Sequence, residues 1–96
     1  MFFYYPISTS HSTQTSGVKI EAYPNPFSHT LNINIPDAGD VEKKILVRDV
    51  SGRIVFETKQ NDAKFTLDLR ELNKGVYFVS IISRDFTGKV QVVNDR

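Results

Sequence analysis

The 96-residue sequence has no cysteine and no tryptophan, and only two histidines. Without cysteine there is no disulfide and no thiolate metal site, and redox chemistry says nothing about compartment. Charge of one sign is also missing. Twelve Lys and Arg stand against eleven Asp and Glu, a net of +1. No field of that size argues for nucleic acid or a membrane surface. Lys43-Lys44 is the only adjacent basic pair. No apolar run reaches the ~18–20 residues of a membrane span. The opening "MFFYY" lacks the basic flank and the length of a secretory signal, and Pro6 follows at once. His11 and His29 have no metal-pair spacing, no glycine loop suits a phosphate, and no spacing selects a Ser–His–Asp set. No catalytic residue, cofactor, metal or small-molecule substrate is therefore expected.

What is present falls into two parts. Residues 1–17 end in "STSHSTQTSG", a stretch with nothing to bury, expected to be a flexible tail or linker. A linker implies something to link, so the chain reads as the C-terminal end of something larger. From residue 18 to 96 the pattern has period two, long enough for one small domain. "HTLNINIP" sets Leu31, Ile33 and Ile35 on one face and Asn32 and Asn34 on the other. Further strands are expected over residues 18–23 and 41–50 and in "RIVFETK", "AKFTLDL", "GVYFVSIIS" and "GKVQVVN". Ile45 and Val47 should face inward. "GVYFVSIIS" is apolar on both faces, which suits a central strand or one that meets a partner. Its "FVSII" core, with Phe78 or Ile82 exposed, is a candidate for edge pairing with a partner strand. No helical period is convincing; "LRELNKG" is stopped by Gly75 after one turn. The expected fold is an all-β, seven-stranded antiparallel immunoglobulin-like β-sandwich.

Three short motifs stand out. In "YPNPF", Pro24 and Pro26 fix their own φ, extend Tyr23 and Asn25, and end regular pairing. Asn25 can close a local turn. The stretch reads as a rigid turn or, since little ordering entropy remains to be lost, as a recognition segment. In "RDVSGRIV", Gly52 supplies a positive φ, Asp49 can cap amides two or more residues ahead, and Arg53 leaves the hairpin toward solvent. In "LNKGVYF", Leu72 can drop into the core, Gly75 helps turn the corner, and the Tyr77 hydroxyl can bond backbone upstream, as in a tyrosine corner. Asp37, Asp40, Asp49 and Asp62 read as solvated turn carboxylates, with calcium binding as the alternative.

Taken in order, "YPNPF", "VRDVSGRIV", "LRELNKGVYFVSI" and "GKVQVV" make residues 18–93 resemble the type A C-terminal sorting domains of the type IX secretion system. The resemblance implies an immunoglobulin-like domain at the end of a larger exported protein from a Gram-negative bacterium. Such a domain is recognised in the periplasm and takes its upstream cargo through the outer-membrane translocon. Shuttle and sortase proteins then act, and the domain is cut off near the start of its fold. The family's motifs fall on Tyr23, Pro24, Asn25 and Pro26, on Asp49, Gly52 and Arg53, and on Leu72, Gly75 and Tyr77, with the closing strand from about Lys89. The cleavage region would span Ser8, Ser16, Gly17 and Val18. The family commonly closes on an apolar strand with basic residues, whereas "VVNDR" has only Arg96. The alternative from another class is a passive immunoglobulin- or fibronectin-like spacer or adhesion module, since fold alone does not decide function. A carbohydrate module would need a platform of exposed aromatics, and the inward spacing of Tyr and Phe disfavours one.

Overall fold

The computed structural model describes residues 19–36 and 38–95. Seven strands run in chain order: β1 Glu21–Tyr23, β2 Thr30–Asn34, β3 Lys43–Arg48, β4 Ile54–Gln60, β5 Lys64–Asp68, β6 Gly75–Ile82 and β7 Thr87–Asn94. They form a three-stranded sheet, β1-β2-β5, and a four-stranded sheet, β4-β3-β6-β7, with every pair antiparallel. The all-β sandwich expected from the period-two pattern is what the chain adopts. The one-turn helix candidate at 69–75 is a turn, with the Leu72 amide donating to the Leu69 carbonyl at 3.1 Å.

Alternation decides which residues make the core. Leu31, Ile33, Ile35, Phe65, Leu67 and Leu69 point inward from one sheet, and Ile45, Val47, Tyr77, Val79, Ile81, Val90 and Val92 from the other. Each fully buried aliphatic or aromatic side chain contributes about 1.5–3 kcal/mol of transfer free energy. Ala22 from β1 and Ile20 just before it complete the core, and Phe27, fully buried, joins it from the loop after β1.

Strand limits and sheet order differ from the expectation in three places. The first strand is three residues long rather than starting at 18, and Val18 lies outside the described residues. The third strand occupies 43–48 rather than 41–50, and its parity brings Lys43 to the inward face with Ile45 and Val47. Most consequential, β6 is not an edge. It lies between β3 and β7, hydrogen-bonded on both sides, so "FVSII" cannot accept a partner strand. Its two apolar faces are those of a central strand, inward at Val79 and Ile81 and outward at Phe78 and Ile82.

Candidate functional site

The proline turn does more than end β1. Both the Tyr23-Pro24 and Asn25-Pro26 peptides are cis. The loop crosses to the other sheet and lies along the edge of β7. There the Asn25 side chain acts as a piece of strand: its Oδ1 accepts from the Val93 amide at 2.9 Å, and its Nδ2 donates to the Gln91 carbonyl at 3.4 Å. The Phe27 amide donates to the Val93 carbonyl at 2.8 Å, and the Asp95 amide donates to the Phe27 carbonyl at 3.0 Å. Residues 25–27 thus pair the last residues of β7, with Phe27 bridging Asn94 in parallel. Prolines suit this path because neither residue flanking Asn25 has an N–H to satisfy. Sequence reading identified the turn but not its partner, which lies 68 residues away.

The β3–β4 hairpin is built as expected. Asp49 Oδ1 accepts from the Ser51 amide at 2.9 Å, the Ser51 hydroxyl at 2.7 Å and the Arg53 amide at 3.1 Å. The Ser51 hydroxyl, first, and these amides hold the Asp49 carboxyl below its ordinary pKa. Gly52 takes φ 91°, with open space where a Cβ would sit, so backbone conformation rather than room asks for glycine. Arg53 is exposed, as expected, yet its guanidinium also lies 3.2 Å from Asp49 Oδ2.

The corner motif is a tyrosine corner. The Tyr77 hydroxyl donates to the Asn73 carbonyl at 2.6 Å while the ring is buried. Leu72 is partly buried against the core. Its carbonyl accepts from Nδ2 of Asn94, a fully buried polar residue near the end of β7, at 3.2 Å. Asn94 was not singled out by sequence. Its signal was parity: it continues the inward series of Val90 and Val92.

Register brings the motifs together. Gly75 pairs with Asn94 and Phe78 with Arg48, so the corner, the hairpin turn at 49–53 and the end of β7 share one end of the four-stranded sheet. The proline turn is bonded to that same end. Lys89 lies apart, further back along β7, whose first residue is Thr87. The chain enters the fold at the opposite end, where Ile20 packs so closely on Gly88 that an added Cβ would lie 2.3 Å from Ile20 Cδ1. Ser8, Ser16, Gly17 and Val18 lie outside the described residues.

That opposite end also holds Lys43. Its ammonium, at the end of a buried side chain, donates to the carbonyls of Val41 at 2.7 Å, Asn61 at 2.9 Å and Gly39 at 3.2 Å. Burial lowers its pKa, against the attraction of Asp40 and Asp62. A protein cation thus occupies the oxygens between these loops. Among the described residues no group of three His, Cys, Asp or Glu is placed to hold a metal ion; Asp37 lies outside them.

The comparisons agree with this architecture. The chain matches the secretion system C-terminal sorting domain over residues 21–94. It belongs to that family. Its members are sorting signals of the type IX route, which implies dealings with that machinery and transit toward the cell surface or beyond. A DUF3244 family protein from Bacteroides vulgatus, with an immunoglobulin-like β-sandwich, superposes with a TM-score of 0.66 at 15% identity, over 79% of this chain and 84% of that one. At that identity the likeness concerns the fold. No curated protein matches.

Proposed function

We propose that residues 18–96 are the export signal of a larger protein, read in the periplasm by the type IX machinery and carried with its cargo across the outer membrane. The domain is a passenger's address and catalyses nothing. Shuttle, translocon and sortase components are its partners. The observation that carries this reading is the family match, and the layout of the fold supports it. The motifs Tyr23–Pro26, Asp49/Gly52/Arg53 and Leu72/Gly75/Tyr77 gather at one end of the sandwich, while the chain enters at the other. Cargo attached upstream would leave the motif end clear. A sortase would cut in the Ser/Thr-rich stretch, at or between Ser8 and Val18. Released or surface-attached cargo is the product.

The test is an export assay with residues 8–96 fused behind a signal peptide and a fluorescent reporter, in a host with a working type IX system and in its translocon mutant. Reporter on the surface or in the medium of the competent host alone is the expected result, and mass spectrometry of that reporter locates the cut. Reporter held in the periplasm of both hosts would overturn the reading and leave a spacer or adhesion module.

A further inference from the structure

The outward face of the four-stranded sheet carries an apolar strip with a basic rim. Phe78 and Ile82 project from β6, and Ile54 from β4; Ile54 and Ile82 are 45% and 38% exposed. Register places Arg48 directly beside Phe78 on one side and Gln91 on the other. Lys89, diagonal to Phe78 and on the same face, holds its ammonium 5.9 Å from the ring centroid. Lys44 and Lys59 stand further along the face, each facing a carboxylate: Glu57 at 3.5 Å and Glu42 at 3.8 Å. Arg48 and Lys89 differ. Among the described residues no carboxylate pairs with either.

An aromatic ring between two unpaired cations has a complement of definite chemistry: an apolar side chain flanked by carboxylates. We propose that this face, centred on Phe78 with Arg48 and Lys89, docks an extended acidic-and-apolar protein segment. Charge complementarity selects this occupant. The cations are local, within a chain whose net charge is +1, so they suit a few carboxylates at fixed positions rather than a broad anionic surface. Docking on the face leaves the β6 ladder intact, which pairing with "FVSII" as an edge would not. That the segment belongs to a component of the secretion machinery rests on the sorting-signal reading; the surface itself does not.

The test therefore uses the full chain alone, isotope-labelled for NMR, with three probes. The first is a capped heptapeptide alternating Asp or Glu with Leu or Val. The second is its lysine-for-acid counterpart. The third is phosphatidylglycerol vesicles. The acidic peptide should move the amides around Arg48, Phe78, Ser80 and Lys89 and spare those around Thr66 on the other sheet. The lysine peptide should be silent. Arg48→Glu with Lys89→Glu should weaken binding at least about tenfold. Should that variant fold poorly, a salt titration of the unaltered chain serves instead, with affinity falling as salt rises. No binding, shifts centred on Thr66, indifference to the double reversal and to salt, or binding of vesicles but not of the acidic peptide would each overturn the proposal. Failure here leaves the export assay untouched, and failure of that assay leaves this surface in place.

Discussion

The two sheets present opposite kinds of outer face. Apart from the exposed Tyr23, the three-stranded sheet shows water Glu21, Asn32, Asn34, Thr66 and Asp68, and these satisfy one another or a neighbour. Asn34 donates to Glu21 at 2.9 Å, Thr66 to Asn32 at 2.7 Å, and Arg70 to Asp68 at 2.7 Å. The four-stranded sheet shows Ile54, Phe78 and Ile82 beside Arg48 and Lys89. Both sheets keep the same inward alternation and share one core. Folding asked chiefly for the inward positions. The outward positions were free to differ, and on one sheet some were filled with apolar side chains beside charged ones.

Loss of the core beneath both faces should have the largest effect. Phe27→Ala should cost about 3–5 kcal/mol in urea unfolding, a loss that a domain of this size barely tolerates. A smaller change loosens the strap between the sheets. Asn25→Ala leaves the Val93 amide without its partner, an expected cost of about 1–3 kcal/mol. Amide exchange at Val93 should quicken with it, while exchange in the middle of β3 follows only the global change.

Tyr77→Phe keeps the buried ring and deletes its bond to Asn73, so about 0.5–1.5 kcal/mol should be lost, read from the unfolding midpoint. Acid should act in the same direction. The Asp49 and Asp68 carboxyls sit below their ordinary value of 3.8, Asp68 chiefly through its bonds to Arg70. A depressed folded pKa stabilises fully above the ordinary value, and that contribution fades as pH falls through the folded one. Unfolding midpoints measured downward from pH ~5 should therefore fall, and Asp49→Asn should flatten part of the fall. The smallest effects sharpen the contrast itself. Thr66→Val should change stability by under about 1 kcal/mol, as surface substitutions do, while the half-buried Phe78→Ser should cost about 1 kcal/mol. Sedimentation should show less self-association for Phe78→Ser and more for Thr66→Val.

Much of this protein could be read from local pattern. Leu31, Ile33 and Ile35 announced a strand face because side chains alternate every residue. Asp49 with Gly52 announced a capped turn, and Tyr77 four residues after Asn73 announced its corner, because each partner lies within a few residues. Strand identity, the outer polar face and the sandwich class followed from such short-range chemistry.

Sheet order did not. "FVSII" is equally apolar at an edge or in the interior, and only its ladders with β3 and β7 place it inside. Lys43 shared the parity of Ile45 and Val47, but its burial depended on three carbonyls from two separate loops. The proline turn specified its own stiffness, while its contact with β7 came from a strand near the far end of the chain. Period and turn chemistry are properties of neighbouring residues, so sequence alone determined them. Which strands lie side by side, and which side chains find distant backbone, depends on how two sheets close over one core, and the tertiary structure decided it.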